Sequence, residues 1–196
     1  MSGYEAPGLL VLLHSPLGDA ADWAELPRDL ADLGAQTLIA EITDDDRPPF
    51  AARYVARAAL EIAAAEPAGP VLLVAAGAAG PLLPLVAAAQ RAAHRQIAGY
   101  VLVDALLPQP GAATRAELAT AQLHVETASP ERPRPPEFFT EPLPSAHDWP
   151  DAPCGYLRTA ERYAHSAHLA ALRGWPVREA AGRPLAGELL ALVAEL

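Results

Sequence analysis

Val71-Leu72-Leu73-Val74-Ala75-Ala76-Gly77-Ala78-Ala79-Gly80-Pro81-Leu82-Leu83-Pro84 decides how this chain is read. Its first five residues are apolar without alternation, as in a strand buried on both faces. Small residues with Gly77 and Gly80 then permit a tight turn, and Pro81 and Pro84 open a helix. A sharp strand-to-helix turn of this kind can present a nucleophile above a parallel sheet. Here the central position is Gly77, flanked by Ala75 and Ala79. The setting for a nucleophile is in place, and no hydroxyl or thiol stands at its centre.

The same alternation runs outward in both directions. Leu9–Leu13 is a second continuous apolar run, ending in the turn-forming His14-Ser15-Pro16-Leu17-Gly18-Asp19. Ala21–Leu33 has helical spacing, with Trp23, Leu26, Leu30 and Leu33 on one face and Gly34 as its cap. A strand is expected over Gln36–Ile42, a solvated loop at Asp44-Asp45-Asp46, and a helix over Phe50–Ala65. Pro70–Ala75 is the next strand, Pro81–Ala93 its following helix, and Ile97–Asp104 a fourth strand. Leu106–Pro153 is rich in proline, with one helical stretch near Ala113–Leu123, and reads as an inserted cap or long ordered loop. Order returns with a strand at Gly155–Arg158, a helix over Glu161–Arg173, a strand at Trp175–Glu179 and a helix over Pro184–Glu195. Alternating strands and helices with short loops give an α/β chain: a doubly wound, mostly parallel sheet of about six strands. Such sheets place ligands at the carboxyl ends of strands, near the point where strand order reverses.

The 196 residues form one domain by length, with the proline-rich stretch at about 106–153 inserted in it. With 52% hydrophobic and 19% charged residues, the chain is globular and not disordered. Glycines and prolines break every long apolar run, so no membrane span is expected. Gly8–Leu13 reads as a strand and not a signal peptide, which points to a cytoplasmic protein. The net charge is −10 and every basic residue is a scattered arginine, so there is no basic stripe for nucleic acid. The single cysteine, Cys154, excludes an intramolecular disulfide and reads as a buried structural thiol. No metal or cofactor site is expected. His165 and His168 share a helical face, but without a third ligand in register they read as solvated. His124 and His147 fall in the proline-rich stretch.

Three stretches resemble small bacterial members of the α/β-hydrolase fold family. Val11-Leu12-Leu13-His14-Ser15-Pro16-Leu17 is similar to the family's oxyanion loop. Leu73–Pro84 is similar to a segment that reads G-H-S-G-A-G-P-L-L-P in active members. Trp149–Arg158 through Arg173–Val177 resembles a late strand–helix–strand unit. The resemblance implies an α/β-hydrolase-like fold with a reduced cap. It also implies that Gly77 stands where the family's serine would be, and Ala76 beside it in place of a histidine. Arg183 falls at or beside the position of the base. Asp104, at a strand end, is one location for the family's acid; the alternative is a carboxylate that satisfies loop N–H groups.

Loss of a triad serine or histidine costs on the order of 10⁶ in rate. The backbone donors of an oxyanion hole survive such a loss: the N–H of Ala78 from the turn, and that of Leu17 from the opposing loop, since Pro16 has none. A helix from about Ala78 would add its N-terminal dipole. Gly77 enlarges the pocket and Ser15 lies at its edge, while Arg158 and Arg183 are candidate anion contacts or simply exposed loop residues. His14 is either a proton-transfer group or a brace for its loop. Glu137 and Glu141 line a channel or cover a packed cap.

Three readings follow. One is a non-hydrolytic enzyme of the epimerase, cyclase or lyase type, acting on a small molecule or peptide natural product. Asp104 or His14 would then move the proton, and Leu17 and Ala78 would hold the oxyanion. The triad-deficient bottromycin epimerase is similar in logic. The second is an inactive pseudo-hydrolase that binds a ligand or partner. The third is an esterase with Ser15 as nucleophile, from which no turnover above background is expected.

Overall fold

The computed structural model describes residues 8–123, 132–144 and 148–196; His124 and His147 lie outside them. Six strands form one sheet: β1 (Leu9–Leu13), β2 (Thr37–Ala40), β3 (Val71–Gly77), β4 (Ile97–Ala105), β5 (Cys154–Arg158) and β6 (Val177–Glu179). Every pairing is parallel and the order is β2-β1-β3-β4-β5-β6. Order therefore reverses between β1 and β3, and the carboxyl ends of those two strands flank the crevice where such sheets hold ligands.

The continuous apolar runs are explained by two covered faces. Val11, Leu13, Leu73 and Ala75 pack toward α2 (Phe50–Ala64), α3 (Leu83–Ala92) and α6 (Ala164–Leu172). Leu10, Leu12, Leu72 and Val74 point the other way, to α1 (Leu26–Asp32) and α7 (Leu185–Val193). Alternate side chains leave opposite faces of a strand, so both sets must be apolar.

Several boundaries differ from the sequence reading. The expected helix over Ala21–Leu33 is split into a 3₁₀ turn at Ala20–Trp23 and α1, because Ala24 takes φ 45° between them. Trp23, Leu26 and Leu30 are buried as expected, but Leu33 turns outward and is 57% exposed. The helix after the Gly77 turn begins with a 3₁₀ turn at Gly80–Leu82, and α3 proper starts only at Leu83. No helix N-terminus therefore sits at Ala78, and the dipole expected there is corrected. Gly80 is required for a different reason: a Cβ on it would lie 2.0 Å from the Leu106 carbonyl oxygen. The 3₁₀ turn before α3 can approach β4's exit only without a side chain at Gly80.

The segment between β4 and β5 contains α4 (Arg115–Gln122) and α5 (Pro136–Thr140). Two devices fasten it. Glu141 accepts the Ala51 N–H at 3.0 Å, capping α2, whose own N-cap is a proline with no side-chain acceptor, and it pairs with the buried Arg115 at 3.1 Å. Arg134 joins the loops that follow β1 and β2, reaching Pro16 O and Asp45. The expected solvated loop at 44–46 is thus half wrong: Asp44 and Asp46 are exposed, but Asp45 is fully buried. A triplet of acids carries no periodicity to mark its middle member as an inward partner. Among the described residues, no helix is long and apolar enough to cross a membrane.

Candidate functional site

The turn after β1 and the turn after β3 face each other across the switch point. Gly77 takes φ 55°, a left-handed conformation that suits glycine. Ser15, across from it, directs its hydroxyl oxygen into the space beside Gly77. That oxygen accepts two backbone N–H groups, from Leu17 at 3.2 Å and from Ala78 at 3.3 Å. These are the two donors that the sequence reading assigns to an oxyanion hole. Both donate to one atom, Ser15 Oγ. A Cβ built on Gly77 would lie 2.9 Å from Ser15 Oγ and 3.0 Å from Ser15 Cβ. Ser15 thus stands where a side chain at position 77 would begin. Ser15 and Gly77 are both half-buried.

The geometry of this loop follows from its carbonyls. The His14 carbonyl accepts Tyr54 Oη–H at 2.6 Å. That of Ser15 accepts the Gly18 N–H at 3.0 Å and the His14 ring at 2.9 Å. Pro16 O accepts Arg134 Nε at 2.8 Å and Nη2 at 2.5 Å, and Leu17 O accepts the Arg132 N–H at 2.9 Å. With every carbonyl from 14 to 17 held by a partner, the Leu17 N–H is fixed toward the Gly77 turn. Arg134 completes its fork on Asp45, through Nη1 to the carbonyl at 2.5 Å and Nη2 to the carboxylate at 2.6 Å. Arg132 takes the other carboxylate oxygen at 2.7 Å. Burial pulls the Arg134 pKa below the ordinary guanidinium value, and the Asp45 carboxylate opposes that pull.

His14 is buried with both ring nitrogens engaged. Nδ1 donates to Ser15 O, and Nε2 accepts the Ile42 N–H at 3.3 Å. This is the arrangement of a neutral imidazole tying β1's exit to β2's exit. Asp104 occupies a bulge: Ala76 pairs with Val103 and Gly77 with Ala105, so Asp104 is the extra residue and takes φ 44°. Its carboxylate accepts the Thr159 N–H at 2.8 Å, the Ala160 N–H at 3.3 Å and the Thr159 hydroxyl. Asp104 thereby joins the ends of β4 and β5. With three local donors on one carboxylate, Asp104→Ala is expected to lower the unfolding free energy by about 1–3 kcal/mol, read as a lower urea midpoint.

The arginines singled out from the sequence are paired with acids. Arg183 is exposed and reaches Glu188 at 3.3 Å; Arg158 pairs with Glu161 and Glu179. Cys154 is buried, and burial pushes its thiol pKa up, as for an inert structural cysteine. Among the described residues no group of three metal-ligating side chains comes together. Arg134, Asp45, Tyr54 and Thr159 hold the loops and were not legible beforehand. Gly80 was, since it stands in the quoted turn itself.

No protein-family model matches this sequence, and no curated protein matches it. Solved structures do resemble it. An extracellular α/β-hydrolase from a Paenibacillus species has a TM-score of 0.65 at 16% identity, over 96% of this chain and 98% of that one. A variant of tomato methylketone synthase I in complex with β-ketoheptanoate has a TM-score of 0.64 at 14% identity, over 97% and 99%. Polyneuridine aldehyde esterase has a TM-score of 0.60 at 13% identity, over 88% and 90%. The chain has the α/β-hydrolase fold.

Proposed function

We propose that this single-domain chain, with the β4–β5 segment as its reduced cap, is a pseudo-hydrolase: it binds a small molecule and does not hydrolyse esters. The carrying observation is that Ser15 Oγ takes both backbone donors of the Gly77 turn. A tetrahedral oxyanion needs those same donors at about 3 Å. Support comes from the neighbours of the site. His14 accepts a backbone N–H at its outer nitrogen, so it has no lone pair free to receive a proton from a nucleophile. Asp104 is saturated by Thr159 and Ala160. In this reading His14 and Asp104 are braces, Leu17 and Ala78 hold Ser15, and Arg183 is a surface residue.

A second reading rests on the Ser15 hydroxyl hydrogen. An oxygen that accepts two N–H bonds is polarised, and its own hydrogen becomes a stronger donor. Half-buried Ser15 would then present that hydrogen to a carbonyl or enolate oxygen, as an epimerase, cyclase or lyase on this fold requires.

Aryl-ester hydrolysis separates these from an esterase. With p-nitrophenyl acetate and butyrate, the rate is expected to equal that of buffer, and Ser15→Ala to leave it there. Turnover that disappears in Ser15→Ala would make Ser15 a nucleophile and overturn the proposal. Conversion of a bound ligand without hydrolysis would select the second reading.

A further inference from the structure

A cleft of about 470 Å³ opens between the start of α3, α4 and the turn that follows α6. It is separate from the Gly77 turn, since neither Ser15 nor Gly77 lines it. Pro84, Leu118, Leu143, Trp149 and Trp175 are among its lining residues. The two indoles meet edge to face at 5.6 Å, and Tyr100 supports Trp149 from behind at 5.3 Å. Volume and wall match those of small-molecule sites, which are apolar with few polar groups.

The polar groups of this cleft are biased in one direction. Its charged lining residue is Arg173, whose guanidinium lies 5.1 Å over the Trp175 ring and gives one Nη2 bond to Pro108 O at 3.0 Å. Among the described residues, no aspartate or glutamate lines the cleft, in a chain of net charge −10. Among the described residues Arg173 has no acid partner of the kind that engages Arg91, Arg115, Arg134 and Arg178. Partial burial lowers its pKa, and the Cys154 thiol is the group that opposes this shift. Trp149 Nε1 is buried and has no hydrogen-bond partner among the described residues. A cation without a carboxylate partner among the described residues stands on the wall of this cleft.

We infer that this cleft binds a small carboxylate with an apolar or aromatic body, the body against the wall that Trp149 and Trp175 form together and the carboxylate on Arg173. Planar guanidinium matches a carboxylate with two parallel bonds, and the walls bury the remainder of such a molecule. The inference shares with the proposed function the premise that the chain binds a small molecule. It does not depend on the state of Ser15.

Calorimetric titration with 3-phenylpropionate and its neutral amide tests it. The carboxylate is expected to bind saturably at one site and the amide about tenfold more weakly, since a hydrogen-bonded charge is worth that much. Arg173→Gln is expected to erase the preference by weakening the carboxylate alone. No saturable binding of the carboxylate, equal binding of acid and amide, or a preference retained in Arg173→Gln would each overturn the inference. Any of those results leaves the ester assay unchanged, and ester turnover leaves the titration unchanged, so the two conclusions fail separately.

Discussion

Arg134→Met is expected to lower the unfolding free energy by about 3–5 kcal/mol, the range for breaking a buried ion pair by removing one partner. The Arg134 side chain is 1% exposed and lies on the Phe138 ring at 4.8 Å. It makes four hydrogen bonds, two to Pro16 O and two to Asp45. Methionine fills part of the volume and supplies no donor. Asp45 then keeps Arg132 as its single cation, and the Pro16 carbonyl loses both of its guanidinium donors. Urea titration would show a lower midpoint with an unchanged slope if the native fold persists. A second change identifies the cause. Asp45→Ala in the Arg134→Met background removes the stranded carboxylate, so the double variant is expected to lose clearly less than the two single losses added together. Strict additivity would mean that the two residues do not act as a pair.

Gly77→Ser places at the turn the residue type that the resemblance implies for active members, and is expected to cost about 2–5 kcal/mol without giving esterase activity. One contribution is local: φ 55° costs a residue with a side chain roughly 1–2 kcal/mol. The other is steric: the new Cβ would meet Ser15 at 2.9–3.0 Å, and forcing atoms into a filled space costs about 1–3 kcal/mol. Ser15→Gly removes the obstructing atoms. In that background the cost of Gly77→Ser is expected to fall to the φ contribution alone, about 1–2 kcal/mol. An undiminished cost would show that Ser15 is not the obstruction. Ester turnover is expected to stay at the buffer rate in both variants, because the His14 ring remains bound to Ser15 O and the Ile42 N–H.

The strand–turn–helix order was readable in the chain because burial on both faces leaves uninterrupted apolar runs such as Leu9–Leu13 and Val71–Ala75. The sequence also located the turns after β1 and β3 and named the Leu17 and Ala78 N–H groups as candidate donors. It did not show what those donors would hold. Ser15 lies 63 positions from Ala78, and no spacing rule relates them. Arg134 reaches Pro16 across 118 positions and Asp45 across 89, from a proline-rich stretch without periodicity. Asp104 shows a third kind of gap: its place at a strand end was legible, but the bulge that aims its carboxylate at Thr159 is a matter of register between β3 and β4.

By itself, then, the chain determined a doubly wound, mostly parallel α/β sheet and a turn with Gly77 at its centre, because periodicity and turn chemistry are local properties. Only the tertiary structure decided that Ser15 occupies the space over Gly77 and takes both backbone donors. That outcome depends on Tyr54, Arg132 and Arg134 holding the carbonyls of residues 14–17 from other parts of the fold. Hydrogen bonds between distant segments form only once packing has brought their partners together, so local sequence cannot specify them.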